Sequence, residues 1–263
     1  LSAARAKLFY MSVLNPTQRF SSRVDNYIRY RPGYPSEIIE VLRSECALKP
    51  ECVIADIGSG TGLLTRMFLE NGNIVYGVEP NPGMRQAGER LLSSYPQFHS
   101  VAGTAEDTTL PDSSMDFVTA AQAAHWFDRE KARGEFIRVL KPGGWAVLVW
   151  NERCTDTAFL RDYEQLLLAY ATDYEQVRHE HTTASIDYFF APSSFASRAF
   201  DNCQEFNYTA LEGRLLSSSY TPQSGDARHA PMLVELRRIF DLHNKHGLVF
   251  FSYKTRLYYG QLS

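Results

Sequence analysis

Short apolar runs alternate with helical patterns over the first 150 residues of the chain. Residues 53–57 form an apolar run typical of a buried parallel strand, and apolar positions at helical spacing resume over 63–69. Further strands are predicted at 74–78, at 99–102, at the end of 110–121 and at 145–150. Helical patterns separate these runs, so the sequence predicts an open, doubly wound α/β sheet.

The pattern changes after residue 150. A long helical pattern covers 156–181, and 185–200 is aromatic and irregular. We interpret 151–200 as a helical insertion that caps a ligand site, with a helical elaboration of the core as the alternative. Residues 201–263 are predicted to complete the core sheet, with strands over 203–209 and 248–259 and helices over 211–216 and 230–243.

The amino-terminal part is predicted to contain one helix over 16–30, ended by the turn Arg31-Pro-Gly-Tyr-Pro35. Ser36 is predicted to cap a second helix. The ten residues before Met11 are too short and too weakly apolar for a secretory signal. We expect Met11 to be the natural start, although these ten residues could equally be a real extension. Residues 1–20 are interpreted as an amino-terminal extension, and the core begins at residue 21.

A glycine-rich turn, Gly58-Ser-Gly-Thr-Gly62, joins the first strand to the first core helix, and Asp56 precedes it. Such a turn lets a ligand approach the backbone closely, and the helix start offers free N–H groups. A dinucleotide fingerprint needs a small residue where Leu63 stands, so the spacing disfavours NAD. The alternative is a glycine turn that binds no ligand.

A second acid, Glu79, follows the second strand. One carboxylate can accept hydrogen bonds from both hydroxyl groups of an adenosine ribose, although an acid at a strand end is often merely solvated. Met84, at the start of the next predicted helix, would either pack on an adenine or fill the core.

Several motifs in order resemble class I S-adenosylmethionine-dependent methyltransferases. They are the glycine turn after Asp56, L-P-D-S-S-M-D-F-V at 110–118 and L-K-P-G-G at 140–144. Tyr27 and R-P-G-Y-P at 31–35 look like the small-molecule branch related to trans-aconitate methyltransferase. Over about 20–150, the resemblance implies a Rossmann-like methyltransferase fold. That fold has a mostly parallel seven-stranded sheet with an antiparallel last strand, here with the cap insertion.

The resemblance also implies a set of S-adenosylmethionine contacts. The expected residues are Arg31, Asp56, Gly58, Ser59, Gly60, Gly62, Glu79, Pro80, Met84, Thr104, Ala105, Glu106, Ala121 and Gln122. Arg31 would lie near the carboxylate of the cofactor. The family often has an acid where Thr104 stands, so we expect the adenine to contact the Ala105 backbone with help from Glu106. Glu106 could equally be a solvated charge.

His125 is the candidate catalytic residue, because it follows the fourth strand at the ligand edge of the sheet. It would act as a base for a hydroxyl or amine acceptor, whereas a carboxylate needs none. The alternative is a structural histidine beside Trp126. Tyr27, Tyr34 and Trp126 are the expected acceptor contacts. Apolar pocket walls are expected from aromatic residues of the cap, namely Tyr163, Tyr170, Tyr188, Phe189, Phe190 and Phe195.

Composition narrows the classes of partner. A net charge of −3 and a pI of about 6.2 disfavour nucleic acid, and no run approaches eighteen apolar residues. The four cysteines form no C-x-x-C pair, which favours a reduced, cytoplasmic protein. The pairs His179/His181 and His243/His246 lack cysteine or carboxylate partners in sequence, so we expect no metal. The sequence does not fix an oligomeric state.

The sequence therefore predicts methyl transfer from S-adenosylmethionine to a small molecule, possible acceptors being a carboxylate or a hydroxyl. Two alternatives stay open at this point. One is a nicotinamide oxidoreductase on the same sheet, and the other is a non-catalytic S-adenosylmethionine-binding protein.

Overall fold

The computed structural model describes residues 23–172, 174 and 182–263. Its seven strands are β1 Val53–Ile57, β2 Ile74–Val78, β3 Phe98–Val101, β4 Met115–Ala121, β5 Leu140–Arg153, β6 Ala196–Phe206 and β7 Val249–Gly260. The helices of the described residues are α1 Val24–Tyr30, α2 Glu37–Glu45, α3 Leu63–Glu70, α4 Pro82–Leu91, α5 Arg129–Val139, α6 Ala158–Tyr170, α7 Thr182–Phe190, α8 Tyr208–Leu216 and α9 His229–His243, with a short 3₁₀ helix at Ala124–Trp126.

All seven strands form one sheet in the order β3-β2-β1-β4-β5-β7-β6. Strands β1 to β5 pair in parallel, and β7 is antiparallel to both β5 and β6. The order reverses between β1 and β4, which is where open α/β sheets bind ligands at the carboxyl ends of their strands. The predicted doubly wound, mostly parallel sheet with an antiparallel last strand is confirmed. The cap at 151–200 stays a prediction.

The central strands form because their apolar residues are covered on both faces of the sheet. Four of the five β1 residues are buried. One core cluster packs Phe136 of α5 against the sheet, and the opposite one packs Leu42 of α2 and Phe68 of α3. A third cluster joins α6, α8 and α9 to the amino-terminal half of β7, with Phe251 inside it. Continuous apolar runs are what a parallel strand with two covered faces requires.

Residues 185–200 are not irregular, and that expectation is wrong. Helix α7 covers their first part, and β6 begins at Ala196 and pairs with β7 from Ala196 through Phe206. Strand β6 is the outer strand of the sheet, and most of its residues are exposed or half-buried. An edge strand is polar along much of its length, so the apolar signal that marks a central strand is missing.

Ser36 stands at the start of α2 as predicted, but it does not cap the helix. Its backbone is already helical, and its side chain accepts no hydrogen bond from the first turn. The hydroxyl instead lies 3.3 Å from a carboxylate oxygen of Glu37. The helix is held by its buried face, with Ile38 and Leu42 fully enclosed.

None of the helices in the described ranges is both long enough and apolar enough to cross a membrane.

Candidate functional site

At Gly58 and Gly60 the glycine-rich turn presents bare backbone to the cavity at the edge of the sheet. The N–H groups of Gly58 and Ser59 both donate to the Val78 carbonyl of β2, at 2.8 and 3.2 Å. Gly58 and Gly60 have φ angles of +68° and +59°. A Cβ at Gly58 would lie 2.7 Å from that of Ala123, so glycine is required for conformation and for space.

A cavity of about 410 Å³ opens directly against this turn, at the carboxyl ends of the central strands. Ten of the residues predicted to bind the cofactor line it. They are Gly58, Gly60, Glu79, Pro80, Met84, Thr104, Ala105, Glu106, Ala121 and Gln122. Tyr27 and Trp126, predicted to contact the acceptor, line the same cavity. Its volume lies within the usual range for small-molecule sites, about 300–1,000 Å³.

Glu79 is the acid of the cavity wall, and it is only 8% exposed. One carboxylate oxygen accepts the N–H of Gly60 at 2.9 Å, and the other accepts the N–H of Asn81 at 2.7 Å. Burial raises the pKa of Glu79, although these two N–H groups favour the carboxylate. Each carboxylate oxygen carries two lone pairs, so one acceptor position on each is left for a ligand.

Asp56 lies behind the turn rather than on the main cavity wall. It accepts hydrogen bonds from the hydroxyls of Thr65 at 2.6 Å and Thr119 at 3.0 Å. Burial raises its pKa to about 6, against the effect of these hydroxyls. The carboxylate therefore ties β1 to α3 and β4, and it faces only a small recess of about 10 Å³.

Three further predicted contacts lie at or beyond this recess. Ser59 and Tyr34 line it, next to Tyr27. Gly62 lines neither space, because it begins α3 with φ of +88° and a Cβ there would lie 2.5 Å from Leu92. The third glycine of the motif thus serves the packing of the turn against the end of α4.

Gln122, directly after β4, is the strained residue of the cavity. Its φ is +52°, a region that non-glycine residues seldom adopt. The side-chain N–H₂ donates to the Asn151 carbonyl at 3.0 Å, but the buried side-chain oxygen has no hydrogen-bond partner. Strain and an unpaired buried acceptor on a cavity wall indicate a position kept for a ligand.

The segment after β3 uses its polar groups to fix its own shape. The Thr104 hydroxyl accepts the N–H groups of Glu106 and Asp107, both at 3.2 Å. A carboxylate oxygen of Glu106 accepts the Asp128 N–H at 2.8 Å, which joins this segment to the start of α5. Ala105 is buried on the cavity wall with its backbone held between these bonds.

His125 does not line the cavity, although Trp126 of the same short helix does. The His125 side chain is exposed, and its ring centroid lies 4.8 Å from that of Trp126. A role as a base stays a prediction.

Sequence reasoning missed four other lining residues, which are Ala123, Phe127, Asp128 and Lys131. Only their position after β4 could have indicated them.

Arg31 lies beyond the cavity, behind Tyr27. Its guanidinium carbon is 5.0 Å from the centroid of the Tyr27 ring, and it donates to the Ser217 carbonyl at 3.1 Å. Its Nε is buried and has no hydrogen-bond partner. Burial lowers the pKa of Arg31, and Arg214 nearby lowers it further.

The aromatic residues expected to form pocket walls belong largely to the core. Phe189 and Phe190 are 4% and 0% exposed, and Phe189 packs on Phe136 of α5. Tyr163 is 1% exposed and packs on Phe251. Tyr188 is 55% exposed. None of the six lines the cavity.

The remaining histidine prediction falls partly outside the described residues, which do not include His179 and His181. His243 lies 2.6 Å from a carboxylate oxygen of Asp162. The four cysteines are free thiols.

Comparisons with known proteins agree with this geometry. The model of a family described as a methyltransferase domain matches residues 55–148, which include most of β1 and all of β2, β3 and β4. An uncharacterised methyltransferase of Mycobacterium tuberculosis is 40% identical over 148 residues, which are 56% of this chain and 58% of that protein. The match therefore spans little more than half the length of that relative.

Two further comparisons cover more of the other protein. An uncharacterised methyltransferase of Geobacillus kaustophilus is 30% identical over 154 residues, which are 55% of this chain and 67% of that protein. The solved structure of a candidate type II methyltransferase from Anaeromyxobacter dehalogenans has a TM-score of 0.64 and 22% identity, over 88% of this chain and 98% of that chain. At that identity the likeness concerns the fold.

The resemblance to the trans-aconitate branch stays a prediction. The family itself is shown by the matched domain, by the Geobacillus relative and by the sheet that carries the site. The chain belongs to the class I S-adenosylmethionine-dependent methyltransferases.

Proposed function

We propose that this protein transfers a methyl group from S-adenosylmethionine to a small molecule. One observation carries the proposal: Glu79, the bare backbone of Gly58 and Gly60, and the strained residue Gln122 line one cavity. A nucleoside ligand needs an acceptor pair for its ribose and a backbone that it can approach closely.

The residues present fit S-adenosylmethionine. The two free acceptor positions of Glu79 suit the two ribose hydroxyls. Met84, buried against the turn, and the Ala105 backbone suit the adenine. The Gln122 oxygen and the Gly58 carbonyl are acceptors and suit the ammonium of the amino-acid end, since the Gly58 N–H already donates to Val78. By the family resemblance the carboxylate would lie near Arg31, behind Tyr27. The positive end of α3 favours the anionic group.

The bound cofactor would supply a methyl group already activated on a sulfonium. The chain therefore needs no strong electrophile of its own, and its main contribution is to hold the acceptor in line with the bond that breaks. Positioning of that kind supplies roughly 7–11 kcal/mol in favourable cases. Trp126 and Phe127 form an apolar wall that would keep water from this line.

The acceptor contacts proposed from the sequence are Tyr27, Tyr34 and Trp126. Tyr27 lines both the cavity and the adjoining recess, so it stands where the two spaces meet. His125 would need to turn inward past Trp126 to reach an acceptor. A carboxylate acceptor, which brings its own lone pair and loses no proton, would not require it.

The test combines binding with turnover. Calorimetric titration should give saturable binding of S-adenosylhomocysteine and none of NAD. Incubation with methyl-labelled S-adenosylmethionine and a library of small acids, alcohols and amines should then label one class. Binding of NAD in place of the nucleoside would overturn the proposal. Tight S-adenosylhomocysteine binding with no labelled product from any class would identify a non-catalytic binding protein.

A further inference from the structure

A cluster of arginines lies behind the Tyr27 wall of the cavity. We name Arg31, Arg153 and Arg214, with Tyr220 among them, the arginine cluster. Arg31 follows α1, Arg153 ends β5 and Arg214 lies in α8. Three different parts of the fold therefore send a guanidinium group to one place.

The contacts of the cluster fix its position. The guanidinium carbons of Arg153 and Arg214 lie 6.0 and 5.7 Å from the centroid of the same ring, that of Phe251. Arg153 also donates to the Tyr174 hydroxyl at 2.7 Å, and the Tyr174 ring lies 5.0 Å from that of Tyr220. Burial would raise the pKa of Tyr220, but the three guanidinium groups outweigh it and hold that pKa below its ordinary value.

Positive charge in this cluster exceeds negative charge within the described residues. Arg153 pairs with Glu164, and both side chains are about one-tenth exposed. Arg214, 5% exposed, is held by neutral groups, the hydroxyls of Tyr253 at 3.2 Å and Ser218 at 3.1 Å. Among the residues that the structure describes, Arg31 has the Ser217 carbonyl as its one hydrogen-bond partner.

A buried guanidinium without a carboxylate is costly, since burial takes it from water and an ordinary fold would pair it. Two further donors in the cluster are unused, because Nε of Arg31 and Nε of Arg153 are buried and have no hydrogen-bond partner. Arginine forks of this kind match the oxygens of a carboxylate or phosphate. The missing negative charge is therefore the feature that a ligand would supply.

The cluster adjoins the proposed methyl-transfer cavity through one side chain. Tyr27 lines the cavity, and Arg31 stacks over its ring. Arg31 and Tyr220 are half-buried rather than fully enclosed. A ligand bound at the arginines could reach past Tyr27 to the cofactor.

We propose that the arginine cluster binds an oxyanion, carboxylate or phosphate, carried by the methyl acceptor. The acceptor is then an anionic small molecule, held by Arg214 and Arg153 at one end and presented past Tyr27 at the other. This inference rests on the proposed function, because it assigns the acceptor of that same site.

The test is calorimetric titration of the protein saturated with S-adenosylhomocysteine. The probes are succinate, inorganic phosphate and neutral succinamide. We expect one anion to bind and succinamide not to bind, with the tighter anion deciding between carboxylate and phosphate. Arg214→Gln should weaken that binding at least tenfold. Arg237→Gln is the matched control, because this exposed arginine also lies over an aromatic ring, that of Tyr208 at 4.7 Å.

Retained S-adenosylhomocysteine affinity in Arg214→Gln shows that the fold and cofactor site are intact. If that variant does not fold, Arg214→Lys is used in its place. Lysine keeps the positive charge but lacks the paired N–H groups of a guanidinium, so it should weaken the binding of the anion by a smaller factor. Failure of both anions to bind, or binding that Arg214→Gln leaves unchanged, overturns the inference. Loss of S-adenosylhomocysteine binding by the unaltered protein would instead overturn the proposed function.

Discussion

Glu79 shows how one side chain can serve the fold and a ligand together. Its two oxygens hold the N–H groups of Gly60 and Asn81, and each keeps a second acceptor position facing the cavity. Glu79→Ala removes both functions. We expect S-adenosylhomocysteine affinity to fall by roughly 1.5–3 kcal/mol, the range for hydrogen bonds to a charged group, which is about 10- to 150-fold by calorimetry.

The matched control for this prediction is Glu70→Ala. Glu70 is 57% exposed and pairs only with surface groups of α3 and Tyr95. Its loss should leave cofactor affinity unchanged. The cofactor affinity of Glu79→Gln should lie between those of the wild type and Glu79→Ala, because an amide keeps one acceptor oxygen. Wild-type affinity in a folded Glu79→Ala protein would contradict the ribose assignment.

Asp56 makes a pH prediction at the same scale. Burial raises its pKa from an ordinary value of 3.8 to about 6, so between these values the folded state binds more protons than the unfolded state. Folding stability from this group is then greatest at low pH and falls as pH rises through about 6, by the order of 2–3 kcal/mol in all. Asp56→Asn keeps the shape and removes the titration.

Urea unfolding of both proteins between pH 4.5 and 7.5 measures this effect, and subtraction cancels the other titrating groups. The free energy of unfolding of the wild type, relative to Asp56→Asn, should decline from pH 4.5 to about 6 and level off above that pH. A difference that stays flat, or that rises with pH, would show that the Asp56 carboxylate is stabilised rather than penalised in the fold.

The turn between β1 and α3 is the element on which the cavity depends. Gly58 needs a positive φ and also lies against Ala123 at the end of β4. Gly225 has φ of +99° with nothing within 4 Å of a Cβ, so Gly225→Ala isolates the conformational cost, about 1 kcal/mol. Gly58→Ala adds overpacking of roughly 1–3 kcal/mol and should reduce S-adenosylhomocysteine affinity at least tenfold.

Chemical denaturation and calorimetry on the two variants decide this prediction. If the two variants lose the same free energy of unfolding and Gly58→Ala keeps its cofactor affinity, the turn does not need to lie so close to the segment after β4.

Elements with a local signal were predictable from the sequence, and elements defined by distant partners were not. The run at 74–78 predicted β2 with its observed bounds, because a central strand needs apolar residues on both faces. The strand predicted at 203–209 found only the end of β6, and its first part was missed because β6 is an edge strand whose partner, β7, comes more than forty residues later. Phe189 and Phe190 were misplaced for a related reason, since aromatic composition does not reveal which side of a helix meets the core.

The candidate site divides in the same way. Gly58, Gly60 and Glu79 line the cavity as their spacing predicted, because a glycine turn and an acid that follow two neighbouring parallel strands meet at one edge of the sheet. Phe127 and Lys131 line the cavity only because the segment after β4 folds back over it, and no motif encodes that. Gly62 was assigned to the cofactor because of its motif, whereas in the structure it packs against the Leu92 side chain.

Across the whole molecule, the amino-terminal segment of the described chain is held beside the cavity by residues of its second half. The Arg23 guanidinium donates to the Thr221 hydroxyl at 2.8 Å and to its carbonyl at 2.7 Å, and also to the Ser218 carbonyl. Asn151 and Asn202 both donate to the Gly33 carbonyl, at 3.0 and 2.9 Å. The amino-terminal helix and turn are thus fixed by residues from β5 onwards, and with them Tyr27 on the cavity wall.

This arrangement predicts that a change in α8 will alter cofactor binding without touching the cavity. A Cβ at Gly213 would overlap the Tyr30 ring, so Gly213→Val should push α1 away and displace Tyr27. We expect S-adenosylhomocysteine affinity to fall several-fold and tryptic cleavage after Arg29 to become faster. The double variant Gly213→Val/Tyr30→Ala removes the overlap and should recover most of the affinity, whereas Tyr30→Ala alone should change it little. Full affinity in Gly213→Val, or no recovery in the double variant, would mean that the docking of α1 on α8 does not position the cavity wall.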